Sequence, residues 1–189
     1  ILKELAGDGK VVGIDRDEEA LEICKKNLNA SSSFLSLHHN SYNNIDKILA
    51  AEGFSAVHGI LLDLGLSSPQ LGSKNRGFSY RSDGPLDMRF NRSSGRPAGK
   101  LIDQVDQFSL AQIFKEYGEE RFASHIAKSI KEMTAMNTIA DLREAIRRCT
   151  PPNHRDRTFA RIFQALRIAV NGELDILKQF LAKFIDFLY

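Results

Sequence analysis

The chain has 189 residues, 42% hydrophobic and 26% charged, which supplies a buried core and excludes the disordered class. Its formal charge is +2, and its two cysteines, Cys24 and Cys149, lack any metal-ligand spacing; both read as reduced packing residues of a cytosolic or matrix-like compartment. No apolar run approaches the ~18 residues of a membrane span and no signal-like segment opens the chain, so no membrane partner is expected.

Residues 1–14, ILKELAGDGKVVGI, read as the tail of a helix, a Gly-Asp-Gly turn and a strand, and the chain is expected to be a piece of something longer. Strands are expected at 10–14, 34–38 and 57–62. Between the first two, DEEALEICKKNL puts Ala20, Leu21, Cys24 and Leu28 on one helical face, with Asp17 as N-cap. NIDKILAAEG supplies a further helix closed by Gly53. Strands alternating with helices at this spacing predict a parallel α/β sheet with crossover helices.

From 108 to 170 the pattern is helical throughout. Ser109 and Gln112 resemble a capping box opening LAQIFKEY, which Gly118 ends. EERFASHIAKSIKEM forms a second helix, and a third runs from about Thr138 to Cys149, stopped by Pro151 and Pro152. A fourth spans about 157–170 with Phe159, Phe163, Leu166 and Val170 inward. This is the pattern of a helical subdomain inserted in an α/β domain. At the far end Ile176, Phe180, Phe184 and Leu188 fall at intervals of four, an amphipathic face that suits the sheet or a homodimer contact.

In an open α/β sheet, ligands bind beyond the carboxyl ends of the strands, where Asp15 and Asp63 stand. A carboxylate there accepts two vicinal ribose hydroxyls, as NAD and S-adenosylmethionine both offer; alternatively Asp15 only caps the next helix, in competition with Asp17. GDGKVVG follows the first helix and is no dinucleotide fingerprint.

Charge is concentrated in two stretches. Residues 74–100 hold seven Lys or Arg against Asp83 and Asp87, and 143–167 hold seven Arg against Glu144 and Asp156, each a balance of +5. Such asymmetry suits a polyanion. The first stretch overlaps a long segment without periodicity, DLGLSSPQLGSKNRGFSYRSDGPLDMRF. Gly65 lets the backbone approach a ligand, and Ser67, Ser68 and Gln70 offer short polar groups. Phe78, Tyr80 and Phe90 with Arg76, Arg81 and Arg89 suit an extruded base, stacked on rings and held by its phosphates. The alternative is an Ω-loop held by its own ion pairs.

DLGLSSPQL followed by RGFSYRSDGPLDMRF resembles the ribosomal RNA small subunit methyltransferase H family, as do GIDRD (13–17), YGEERFA (117–123) and FQALRIAVNGEL (163–174). The resemblance implies a Rossmann-like class I S-adenosylmethionine-dependent methyltransferase core with an inserted α-helical domain. It implies methylation of N4 of a cytidine at the decoding centre of small-subunit ribosomal RNA, in the bacterial cytoplasm or an organelle matrix. The implied division is 1–76 for the first part of the core, 77–160 for the inserted domain and 161–189 for returning helices. By the same resemblance Asp15 holds the cofactor ribose, Asp63 and Gln70 line the cofactor site, and Ser41 or Tyr42 flanks the adenine. Ser67 and Ser68, with Asp83 and Asp87 as rivals, are the candidates for contact with N4. Arg76, Phe78, Tyr80 and Arg89 are the candidates for holding the RNA. The family's glycine-rich loop and its Ser-Phe-His-Ser-Leu-Glu-Asp motif are not in this chain, and RDRTFAR replaces its usual His-Pro-Ala segment. A nicotinamide-dependent oxidoreductase and a non-catalytic RNA-binding module are the competing readings.

Overall fold

A computed structural model describes residues 4–5, 9–28 and 34–189. The expected helix tail and Gly-Asp-Gly turn fall largely outside them. The chain divides into two compact units, one of residues 1–62, 90–92 and 174–189, the other of 63–89 and 93–173.

The first unit is mixed α/β. Strand β1 (Val11–Asp15) leads through helix α1 (Glu18–Asn27) to strand β2 (Leu35–His39), and the two strands pair in parallel with Val11 opposite Leu35 and Asp15 opposite His39. Asp17 caps α1, its carboxylate accepting from the Glu19 amide at 3.1 Å, so an orphan donor of the first turn is satisfied. A 3-10 turn (Tyr42–Asn44) precedes α2 (Ile45–Ala51), which Gly53 ends at φ +79°. The expected strand at 57–62 does not form. Val57 makes a single parallel bridge to Leu188, framed by Val57 N–H to Phe187 O (2.8 Å) and Tyr189 N–H to Val57 O (3.1 Å). Ile60 and Leu62 nevertheless pack on the cluster of Ile45, Leu49 and Phe180. Burial alone explains this apolar run, and periodicity cannot separate burial from a ladder in so short a segment.

The C-terminal amphipathic face is real but is carried by two backbones. Helix α9 (Glu173–Leu181) supplies Phe180, 1% exposed, and a 3-10 turn (Phe184–Phe187) supplies Phe184, stacked on it at 6.0 Å.

The second unit is helical. A five-residue helix α3 (Ser68–Gly72) and a seven-residue α4 (Ala98–Gln104), neither legible as periodicity, precede α5 (Gln107–Gly118), α6 (Ala123–Lys131), α7 (Ile139–Cys149) and α8 (Arg155–Asn171). Helix α5 packs on α6 and α8, and α7 on α6 and α8. The expected boundary at 160 falls inside α8. The expected box at Ser109 is also displaced: α5 starts earlier, capped by Asp106, which accepts from the Ser109 amide (2.9 Å) and hydroxyl (2.8 Å). A carboxylate beside the helix N-terminus outcompetes a hydroxyl there. Residues 119–122, expected within α6, form the link. Glu119 takes the left-handed conformation (φ 50°) and buried Glu120 accepts from the Phe122 amide at 3.0 Å. Gly118 lets α5 and α8 approach, since a Cβ there would lie 2.7 Å from Arg161 O. Helix α7 starts after Thr138 as expected, and Thr138 and Asp141 form a capping box there that the sequence reading did not single out.

The segment 74–97 is strapped down. Met88 N–H donates to Arg76 O (2.9 Å), Leu86 N–H to Asn137 O (2.9 Å), Ile139 N–H to Gly84 O (3.0 Å) and Ala98 N–H to Asp87 O (2.7 Å). Asn171 Nδ2 donates to Met88 O at 2.7 Å, which anchors a buried methionine held at φ 63°.

Candidate functional site

The carboxyl ends of β1 and β2 carry the first group. Since Asp17 is the buried cap of α1, Asp15 is released from that task. Its Oδ1 accepts from the Asp17 amide at 2.7 Å, and Oδ2 has no protein partner among the described residues. Asp15 is exposed at the strand end, yet the surrounding protein desolvates its carboxyl enough to raise its pKa above the ordinary aspartate value, with the Asp17 charge adding to the effect. The next residue of β2's exit, Asn40, donates its N–H to Asp15 O (2.9 Å), and its Oδ1 accepts from Ser41 N–H and Asn44 Nδ2, each at 2.8 Å. Asn40 is a positioning residue the sequence reading passed over. Ser41 caps the 3-10 turn, while the Tyr42 ring meets Phe180 edge-on at 5.2 Å and packs on the apolar cluster.

The second group lies in the helical unit. Asp63 and Gly65 (φ +114°) are exposed and lead into α3. Ser67 and Gln70 form a reciprocal capping box: the Ser67 hydroxyl accepts from Gln70 N–H (3.4 Å) and Gln70 Oε1 accepts from Ser67 N–H (2.9 Å). The box fixes both side chains. Ser68, in the first turn, is exposed, and its hydroxyl has no protein partner among the described residues.

Within the same unit a cavity of about 440 Å³ is lined by Leu66 just before α3 and Leu71 within it, by the loop residues Phe78, Ser79, Tyr80 and Arg81, and by Ala160, Phe163, Gln164 and Arg167 of α8. Its aromatic wall is rigid: Tyr80 lies against Phe159 at 5.6 Å and meets Phe163 edge-on at 5.8 Å. Polar groups border it. The Gln164 amide donates to Tyr117 O at 3.2 Å, and Arg167 is locked to Glu173 through Nε–Oε1 (2.8 Å) and Nη2–Oε2 (3.1 Å). Phe78 and Tyr80 were expected here. The α8 members were read only as the interior face of a helix, although exposed Ala160 and Gln164 at i, i+4 opposite that face were a usable signal.

Other expected ligand contacts are committed to the loop itself. Arg76 is 2% exposed, donates to Arg89 O at 3.1 Å and lies over the Phe78 ring at 5.4 Å. Asp87, also buried, takes the Arg89 guanidinium at 2.8 and 2.9 Å, and that pairing holds the Arg89 pKa above its ordinary value. Asp83 is exposed and pairs with Arg143, whose Nη1 also donates to Tyr80 O at 3.1 Å. Among the described residues no cluster of His, Cys, Asp and Glu is built for a metal ion, and no helix is long and apolar enough to cross a membrane.

Comparison with known proteins converges on one family. Its model, the MraW methylase family, matches residues 1–189. The protein named ribosomal RNA small subunit methyltransferase H from Syntrophotalea carbinolica is 44% identical over 185 residues, covering 95% of this chain and 59% of the relative. Its namesakes from Halothermothrix orenii (43% identical, 100% of this chain and 62% of the relative) and Petrotoga mobilis (45%, 95% and 64%) match similarly. The chain thus spans about three fifths of the length of the curated relatives it matches. With the family model matched end to end and relatives at these identities, the chain belongs to the MraW methylase family.

Proposed function

We propose that the chain is the greater part of an S-adenosylmethionine-dependent enzyme that methylates N4 of a cytidine in small-subunit ribosomal RNA, within a cytoplasmic or matrix-like compartment. The observation that carries this reading is the cavity of the helical unit, where the capped α3 turn, expected beside the cofactor, forms one wall and Phe78, Tyr80 and Phe163 form the others. A flipped base needs such aromatic faces with a few fixed polar groups at the edge. The relatives' names supply methyl transfer to small-subunit ribosomal RNA, and the two basic stretches suit a polyanion. The fold belonging to this reading is a Rossmann-like class I methyltransferase core. Its inserted helical domain would correspond to the unit of 63–89 and 93–173, wider than the expected 77–160.

The residues present fit the cofactor. Asp15 has an uncommitted carboxylate oxygen at the end of β1, suited to a ribose hydroxyl, and Ser41 or Tyr42 would flank the adenine; in the second unit Asp63 and Gln70 are the further candidates for cofactor contact. When bound, S-adenosylmethionine supplies an electrophilic methyl on sulfonium. The chain's own residues supply alignment, which in such displacements is the main source of acceleration. The cytosine N4 lone pair is delocalised into the ring, so an acceptor for an N4 hydrogen raises its nucleophilicity as positive charge develops. Ser68 is best placed by its uncommitted hydroxyl. Ser67 is second, since its oxygen already serves Gln70 N–H. Asp83 and Asp87 rank below, both being ion-paired. Phe78 and Tyr80 would stack on the base, at roughly 1–3 kcal/mol per base. Arg76 and Arg89 act on RNA only by holding the loop.

Calorimetry of the complete protein with S-adenosylmethionine and with NAD, followed by methyl transfer to small-subunit RNA and mapping of the product, tests the proposal. Failure of the folded, complete protein to bind S-adenosylmethionine would sink it. Full cofactor affinity in Asp15→Ala would remove only the ribose assignment.

A further inference from the structure

The arginines around the cavity sort into two kinds. Arg167 gives the Nε/Nη2 edge of its guanidinium to the Glu173 carboxylate, Arg143 is taken by Tyr80 O and Asp83, and Arg161 stands 4.0 Å from buried Glu120. Arg81 and Arg157 differ: both are exposed, and neither has a carboxylate partner among the described residues. Arg81 is itself part of the cavity lining, its guanidinium over the Tyr80 ring at 5.7 Å from the ring centre. Arg157 lies three residues before Ala160 and seven before Gln164 on α8. It therefore continues the cavity's stripe by about 4.5 Å, one turn toward the helix start. One such cation lies in the loop wall, and the other on α8 one turn beyond the residues that line the cavity.

We infer that Arg81 and Arg157 hold the phosphodiesters on either side of the nucleotide whose base enters the cavity; this rests on the RNA reading above. A base-binding cavity fixes where the flanking phosphates must lie. Cations already bound to carboxylates would have to break those pairs to serve, whereas these two need only shed water. Phosphate contacts fix register without reading sequence, so the pair would position the nucleotide and leave discrimination to the cavity.

The test is fluorescence anisotropy of a short labelled single-stranded RNA with a central cytidine, titrated with the complete protein over a range of salt. Each contacted phosphate of a single strand contributes about −0.7 to the slope of log K against log salt. Arg81→Gln and Arg157→Gln should each flatten the slope by about 0.7, and together by about 1.4. Arg81→Lys and Arg157→Lys should retain it, since an ammonium holds phosphate as a point charge. Lys128→Gln, exposed on α6, is the control and should leave it unchanged. Unaltered slopes in the glutamine variants, or Lys variants as impaired as their Gln counterparts, would overturn the clamp. Methyl transfer read in parallel separates the two proposals. Slope changes without N4 methylation leave the clamp and remove the reaction, methylation with unchanged slopes removes the clamp alone, and no RNA binding by the wild type removes both.

Discussion

Gly77→Ala is the sharpest probe of the strapped loop. Gly77 sits at φ +78°, and a Cβ there would lie 2.7 Å from both Asp87 N and Pro85 O and 3.3 Å from Met88 N, all backbone atoms. Gly95, in the same unit at φ +74°, provides the comparison, since its Cβ would meet only Arg89 Cδ at 4.0 Å. The left-handed conformation costs alanine about 1–2 kcal/mol, offset by about 0.4–1 kcal/mol from the lost freedom of the unfolded glycine. Gly95→Ala should therefore destabilise by about 1 kcal/mol. At Gly77 the collision with unyielding backbone adds about 1–3 kcal/mol, for a total near 3 kcal/mol. With a urea m-value of about 2 kcal/mol/M, the midpoint should fall by about 1.5 M for Gly77→Ala and about 0.5 M for Gly95→Ala. Denaturation followed by circular dichroism, with m monitored, reads both. Gly77→Ala should also weaken RNA binding, because Phe78 follows directly in the cavity wall. Equal midpoint shifts would show that these backbone contacts do not hold the loop.

Asp15→Asn should raise stability at neutral pH while lowering S-adenosylmethionine affinity. Desolvation raises the folded pKa of Asp15, so its ionised form opposes folding above that pKa and the neutral amide escapes the penalty. Urea unfolding and calorimetry give the two signs, and lower stability with unchanged affinity would contradict the assignment. Glu52 has the opposite linkage. Hydrogen bonds from Lys10, Ser36 and His38 depress its pKa from 4.5 to about 2. Its contribution is therefore complete above pH ~4.5, the unfolded value, and is lost as pH falls through about 2. Acid titration of Glu52→Gln beside the wild type should show a stability gap at neutral pH that closes across that window. Thr138→Ala removes the cap of α7 and should cost about 1 kcal/mol in urea unfolding.

How far the sequence was legible depends on the range of the interaction. Asp17 was readable as a cap because a cap acts within three residues, Thr138 was readable as a helix start, and α1, α2, α7 and α8 follow. Asp106 was overlooked because Ser109 and Gln112 three residues later imitate the same local signature. The apolar run 57–62 carries a burial signal that does not encode backbone pairing; its one bridge is to Leu188, far along the chain. Helices α3 and α4 are too short for periodicity to register. The cavity was half legible. Phe78 and Tyr80 stood out in an irregular loop, but Phe163 and Gln164 join them only through tertiary packing over some eighty residues of sequence.

The polar loop itself admits a sharper reading than its composition suggests. Its carboxylates and arginines resemble ligand contacts, yet Arg76, Asp87 and Arg89 bind one another or the loop backbone. An irregular segment lacks ladder partners, so its buried backbone and side-chain groups must be satisfied locally. That requirement explains much of the charge without invoking RNA. It also serves the proposed chemistry. A stacked base gains alignment only if its walls are fixed beforehand, and a loop ordering on binding would lose that advantage to entropy. The Ω-loop and base-site readings are therefore complementary: the ion pairs build the frame, and Phe78, Tyr80 and Arg81 are what the frame presents.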